Sequence, residues 1–343
     1  MRFLSIDKVV PGNRLAKPLL GERGTILLRE EYELTESILN KLKELGVSGL
    51  YIDDELSKDI YIEDVVEEKL RLETAYQLEE IMKKNDNVIT LLPYINEIVD
   101  SIIEKKEVVV NMNKIYGHHQ YTYLHCVNVG ILATLVGMRF NLNRRELINL
   151  GTAGILHDIG KKFIPVEILD KPSMLTTEEY ELMKQHPAKG YELLKECMEI
   201  SSTVKAGVLQ HHERFDGSGY PLGLKAYNIC FFGRILAIAD TYDAMTTDRA
   251  YHKAVPQSEA IEFLMGDGNQ LFDMNIISQF IKCIAAYPVG CQVRLSNGMT
   301  AIVIRNYSDN ILRPLVRCVH NHSMIDLNKD INYLNVCIDG IVD

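Results

Sequence analysis

The chain has 343 residues, 47% of them hydrophobic and 24% charged, with a formal net charge of −10. That balance fits a soluble globular protein with a full core and room for two or three domains at roughly 150 residues each. It excludes a broad basic face, so a nucleic-acid duplex is not an expected partner.

The first stretch, "MRFLSIDKVVPGN", carries Asp7 and Lys8 too early in its apolar run for a signal peptide. Residues 1–60 read as a small mixed α/β module. "MRFLSIDKVV", "GTILLRE" and "SGLYIDD" have strand character, and "TESILNKLKELGV" reads as a helix capped by Thr35 and ended at Gly46. Residues 61–109 read as a helical linker region. Its first part is acidic, with Glu67 and Arg71 spaced i,i+4, as on a solvated connecting helix. Asn85-Asp86-Asn87 breaks it, and a helix resumes despite Pro93.

Residues 110–285 are helical in pattern almost throughout. "YLHCVNVGILATLVG" is apolar nearly all round, as in a buried helix, and "VNVGILATLVGM" is too short to span a bilayer. "NRRELINLGTAGILHDIG" is amphipathic, and Thr176-x-x-Glu179 is a capping box. "VKAGVLQHHER", a glycine-rich loop "FDGSGYP" and the long helix "RILAIADTYDAMTT" follow, with a further helix from Pro256 and Ser258. After Pro288 apolar and polar residues alternate around Asn297-Gly298, a hairpin signal, so residues 286–343 read as a small β-rich appendix. The expected fold class is mainly α: a helical bundle core between a small mixed module and a β appendix. The seven cysteines are odd in number, scattered and without a CxxC. They argue for reduced thiols in a cytoplasmic protein.

Six of the ten histidines fall in the helical core: His125, His157, His186, His211, His212 and His252. His125 lies in a run suited to burial, where an unpaired imidazole is costly. His157-Asp158 ends one helix and His211-His212 another, and Asp240 interrupts the apolar "ILAIADTYDAM". A buried carboxylate needs a cation or several donors. Imidazoles and carboxylates that meet in a core satisfy one another through metal ions, and this donor set suits iron, manganese, zinc or nickel. Asp158 has two oxygens and can bridge two ions, in the arrangement used for displacement at phosphorus. Lys161 and Lys162 follow that pair, and Arg249 and Lys253 follow Asp240. Such cations stabilise charge on phosphate oxygens, although for Lys162 surface solvation is the simpler reading.

"HDIGK" (157–161), "HPAKG" (186–190), "HHERFDGSGYP" (211–221) and "ADTYDAMTTDRAYHKA" (239–254) stand in order. Over residues 110–285 the chain thereby resembles the HD-GYP family of bacterial cyclic di-GMP phosphodiesterases, a branch of the HD superfamily of metal-dependent phosphohydrolases. The resemblance implies an HD-type helical bundle with one divalent ion, iron or manganese, on His125, His157, Asp158 and Asp240. It implies a second on Asp158, His186, His211 and His212. A hydroxide bridging the two would be the nucleophile, opening cyclic di-GMP to pGpG, with a second hydrolysis to GMP if the pocket admits the linear product. Lys161 would contact the scissile phosphate, and Arg249, with Lys253, the ligand's other phosphate. Gly219-Tyr220-Pro221 would take part in substrate selection or in docking of a diguanylate cyclase; as plain sequence the triplet is also a tight turn. Some members carry a glutamate where Tyr121 stands, which recruits a third ion, so two ions are expected. His118 is the alternative donor on that face. His252 replaces a lysine or arginine, which makes grip on the ligand there weaker or pH-dependent. Two other readings stand beside this one. They are hydrolysis of another cyclic dinucleotide such as cyclic GMP-AMP, and a binding or scaffold module without turnover. A homodimer is compatible with either.

Overall fold

The computed structural model describes residues 1–84, 86–105, 121–247 and 254–342. The N-terminal module contains strands β1 (Arg2–Ser5), β2 (Arg14–Leu15), β3 (Leu19–Leu20) and β4 (Ile26–Leu28), helix α1 (Glu36–Glu44) and strand β5 (Gly49–Asp53). β1 and β2 flank β5 in an antiparallel sheet, and β3 pairs with β4. Thr35 caps α1 by accepting from the Ile38 N–H, and Gly46 follows its end at φ 75°, a conformation that suits glycine.

The helical body begins with α2 (Glu68–Lys84) and α3 (Leu92–Glu104), where Pro93 opens the helix instead of breaking it. It continues with α4 (Tyr121–Arg139), α5 (Arg144–Leu156), α6 (Val166–Leu169), α7 (Thr177–Met183), α8 (His186–Lys195) and α9 (Ser202–Gln210). α10 (Phe231–Met245), α11 (Gln257–Gly266) and α12 (Met274–Phe280) complete it. Capping boxes start α5 (Asn143 with Glu146) and α7 (Thr176 with Glu179). α4 carries fully buried Val127, Val129, Leu132 and Val136. α2 is packed into the same core through Leu70, Ala75, Leu78 and Ile81, and is not a solvated strut. Its Arg71 turns inward to Asn128 rather than sideways to Glu67.

The C-terminal strands β6 (Gln292–Leu295), β7 (Thr300–Arg305), β8 (Leu315–Cys318), β9 (Met324–Asp326) and β10 (Ile338–Ile341) form an antiparallel sheet in the order β10-β6-β7-β8-β9. Gly298, at φ 84°, turns the β6–β7 hairpin. This sheet joins both cores. Val293, Leu295 and Val316 pack with the helical body, whereas Ile302 packs with Leu50 and Ile52 of the N-terminal module. Arg317 adds a polar tie, donating to both Asp59 oxygens at 2.6 and 2.5 Å and to the Leu56 carbonyl at 3.3 Å.

The hydrogen bonds from Arg317 hold the Asp59 carboxyl down at about 2. A depressed carboxylate contributes stability above its ordinary value near 4, and that contribution is lost as pH falls through the folded value. The urea midpoint should therefore fall more between pH 5 and pH 3 in the parent chain than in Asp59→Asn. Equal falls would mean that the pair contributes nothing in solution, as many exposed pairs do.

Candidate metal centre

Four segments and one long helix bring the histidines together, and close backbone contacts set their approach. A Cβ at Gly154 would lie 2.5 Å from the Gly130 Cα, so α4 and α5 touch backbone to backbone. That contact brings the end of α5 beside His125 on α4. α5 stops at Leu156, His157 is its C-cap, and Asp158 leads into a 3-10 turn over Ile159–Phe163. The turn lies on the start of α8, where a Cβ at Gly160 would be 1.9 Å from the His186 carbonyl oxygen. His186 opens α8, His211 and His212 follow the end of α9, and α10 supplies Asp240.

The ring orientations follow from backbone acceptors. Nδ1 of His157, His186 and His211 each lies 2.7 Å from the carbonyl oxygen three residues earlier, on Gly154, Met183 and Val208. A carbonyl only accepts, so each Nδ1 carries the proton and each Nε2 keeps a lone pair. Those lone pairs converge on Asp158. His157 Nε2 lies 3.3 Å from Oδ2, and His186 Nε2 lies 3.3 Å and His211 Nε2 3.9 Å from Oδ1. His186 and His211 face each other at 3.2 Å between Nε2 atoms. His157 Nε2 and Asp158 Oδ1 are buried and have no hydrogen-bond partner.

A cluster of acceptors facing acceptors is unfavourable unless a cation sits among them. The donor set passes that test for divalent metal, since neutral imidazole and carboxylate are ordinary ligands of iron, manganese and zinc. Among the described residues, two groups have all their ligand atoms close enough to share an ion: Asp158 with His186, His211 and His212, and Asp158 with His125 and His157. Asp240 lies between them, its Oδ1 3.1 Å from His125 Nε2 and 4.0 Å from His157 Nε2, its Oδ2 3.9 Å from His212 Nδ1.

The electrostatics agree. Burial and the neighbouring imidazoles of His212, His157 and His186 press His211 well below its ordinary pKa; burial does the same to His212, against the pull of Asp240. Both rings stay neutral and able to ligate. Burial alone would raise Asp158, but the adjoining His157 ring and the Lys161 ammonium outweigh it and hold the carboxyl well below its usual range. Asp240 is lowered against burial by its hydrogen bond with His125. Lys161 Nζ donates to Asp158 Oδ2 at 2.5 Å; burial would lower its pKa, yet that carboxylate raises it.

The rim is built on Glu213, which is buried and accepts from the Leu222 and Leu224 N–H groups at 2.7 and 2.9 Å. Within that loop the Tyr220 N–H donates to the His212 carbonyl at 3.2 Å. A Cβ at Gly219 would lie 2.3 Å from the Arg214 nitrogen, so the loop is pressed on the chain just after the histidine pair. Tyr220, joined to the exposed Pro221 by a cis peptide, stacks on His212 with ring centroids 4.7 Å apart. Tyr180 meets Tyr220 edge-on at 6.5 Å, with Lys184 Nζ 5.4 and 6.0 Å from the two rings.

His125, His157, Asp158, Lys161, His186, His211, His212 and Asp240 thus lie in one cluster with Tyr220 at its edge. Arg249, His252, Lys253 and His118 lie outside the described residues. Asp243, Asn128, Glu213 and Tyr180 escaped the sequence reading. Asp243 is buried and accepts from His125 Nδ1 at 2.8 Å and from Asn128 Nδ2 at 3.0 Å. Its signal was a second acid one turn along an apolar helix from Asp240.

The profile of the HD domain family matches residues 97–276. A cyclic di-GMP phosphodiesterase of Pseudomonas aeruginosa is 36% identical over 223 residues, which is 65% of this chain and 54% of that protein. A cyclic di-GMP phosphodiesterase of Thermotoga maritima is 36% identical over 190 residues, 55% of this chain and 51% of that protein. The chain thus spans about half the length of the curated relatives it matches. Among solved structures, an HDG"Y"P protein from Bdellovibrio bacteriovorus superposes with a TM-score of 0.51 at 16% identity, covering 81% of this chain and 97% of that one, a likeness of fold. With a family profile spanning more than half its length and the histidine-aspartate motifs drawn into one buried cluster, the chain belongs to the HD domain family, in its HD-GYP branch.

Proposed function

We propose that this chain is a metal-dependent phosphodiesterase that opens cyclic di-GMP to linear pGpG, with GMP the product where the pocket admits pGpG for a second hydrolysis. The observation that carries the reading is the convergence of imidazole Nε2 lone pairs on the buried, partnerless Oδ1 of Asp158, beside the Lys161 ammonium. Two divalent ions fit, iron or manganese ahead of zinc or nickel. His125, His157, Asp158 and Asp240 would hold one, and Asp158, His186, His211 and His212 the other. Divalent ions in such a site supply Lewis acidity and an activated water for attack on phosphorus.

The chain's own groups do the rest. Asp158 offers one oxygen to each half of the site. Lys161 balances the carboxylate and presents N–H donors to the oxygens of the scissile phosphate, where charge grows during displacement. Arg249 and Lys253 are proposed for the second phosphate. Tyr180 and Tyr220 offer ring faces to a guanine base. The Gly219-Tyr220-Pro221 rim is the surface proposed for substrate selection or for docking a diguanylate cyclase. The protein would act in the cytoplasm; among the described residues no helix is long and apolar enough to cross a membrane.

The test uses the full chain, purified anaerobically, analysed for metal and loaded with manganese or ferrous iron. Chromatography should find pGpG or GMP formed from cyclic di-GMP faster than from cyclic GMP-AMP. Faster turnover of cyclic GMP-AMP would reassign the substrate. Binding without turnover under both metals would make the chain a sensor or scaffold.

A further inference from the structure

α2 lies before the stretch that the HD domain profile matches, yet it reaches the metal centre. Arg71, in its first turn, donates from Nη2 to Asn128 Oδ1 at 2.7 Å. Asn128 Nδ2 donates to Asp243 Oδ1 at 3.0 Å, and Asp243 Oδ2 faces His125 Nδ1 at 2.8 Å. Asn128, Asp243 and His125 are 4%, 1% and 3% exposed, so water does not compete along this line.

The polarity of the groups fixes the direction of every bond. A guanidinium only donates and an ionised carboxylate only accepts. The amide between them must therefore turn its oxygen to Arg71 and its NH2 to Asp243. Asp243 in turn demands a proton on His125 Nδ1. That leaves His125 Nε2, which faces Asp240 Oδ1 at 3.1 Å, as the nitrogen on the side where an ion would bind. Nε of Arg71 is buried without a hydrogen-bond partner, so the guanidinium is held here at a local cost. Groups that orient a ligating histidine in this way tune metal affinity.

We infer that Arg71 is a positioning residue for the metal centre: through Asn128 and Asp243 it holds the orientation of His125, and so makes one half of the site depend on the segment preceding the HD domain. Without the guanidinium, the Asn128 amide loses the partner that sets its orientation. Asp243 still demands the Nδ1 proton of His125, but an Asn128 amide no longer held at its oxygen can turn away, and the carboxylate and ring that it supports lose their fixed placement. The inference rests on the two-ion reading given above.

The test compares the full chain with Arg71→Met and Arg71→Lys, all stripped of metal. Titration calorimetry with manganese should give two sites in the parent chain. Arg71→Met should weaken one of them by about 10- to 100-fold and leave the other within about twofold. kcat at limiting manganese should fall with that site while KM holds, and Arg71→Lys should recover part of both losses. Ring-nitrogen NMR shifts of His125 in the metal-free chains supply a second measurement. They should report an Nδ1–H bonded to a carboxylate in the parent and a shifted Nδ1 signal in Arg71→Met. Unchanged affinities with unchanged ring shifts would overturn the inference. So would equal weakening of both sites in step with a lower melting temperature, which marks a merely structural arginine. If the parent takes up no manganese, the two-ion reading falls, and the ring shifts alone decide for or against Arg71.

Discussion

Replacement of Asp158 by alanine should abolish phosphodiester hydrolysis, with kcat down by at least about 10^3-fold, or roughly 4 kcal/mol of transition-state stabilisation. Both oxygens of this side chain are in use. Oδ2 faces His157 and Lys161, and Oδ1 faces His186 and His211. Alanine removes the carboxylate that offers one oxygen to each imidazole group and leaves Lys161 without its anion. Metal analysis should then find fewer ions per chain than in the parent. Lys162→Ala is the matched control. Its ammonium lies over the Phe163 ring and reaches only the Ile81 carbonyl at 3.5 Å, so activity should stay within about twofold of the parent, as for most surface changes. Equal activity in both variants would mean that the histidine cluster does not hold catalytic metal.

The second large effect is expected at Gly160, and it comes from space rather than from backbone freedom. An added methyl would sit 1.9 Å from the His186 carbonyl oxygen and 2.6 Å from the Gly190 nitrogen, and both are backbone atoms that cannot rotate aside. Gly160→Ala must push the 3-10 turn away from α8. Overpacking of this kind costs about 1–3 kcal/mol. For a chain of this length that corresponds to a fall of about 1–4 °C in melting temperature. The shift also separates Asp158 from His186, which stand on opposite sides of the contact. Misplacement by about 1 Å can cost about 10^2-fold in rate. Gly266→Ala serves as the control, because a methyl there meets nothing within 4 Å. Calorimetric unfolding and initial rates check both variants. A Gly160→Ala chain with parental melting temperature and rate would contradict the close approach of turn and helix.

The residues proposed as donors to metal were legible because each stands out locally. An imidazole or carboxylate in an apolar run is expensive, so His125, His157-Asp158, His211-His212 and Asp240 announced themselves one by one. The groups that aim them did not. Asn128 reads as an ordinary polar residue in a helix, and its role exists only once α2 and α10 stand on either side of it. Arg71 sits among Glu67, Glu68 and Glu73, and a mixed-charge helix looks solvated until Leu78 and Ile81 are seen to be buried. Glu213 is similar: its buried carboxylate makes sense only against the two amides of the loop that follows. The strands, turns and caps came through well, since Thr35, Thr176 and Asn297-Gly298 act on near neighbours. The join between the N-terminal module and the C-terminal sheet did not, because its partners are more than two hundred residues apart in sequence.

That join has a consequence for how the chain is made. Leu50 and Ile52 leave the ribosome early, but Ile302, which covers them, comes much later. Until then the nascent module carries a wet apolar face. Contacts between remote segments close late because a long loop must first be ordered. A half-made chain is therefore a natural client for a chaperone, and its exposed patch a starting point for aggregation.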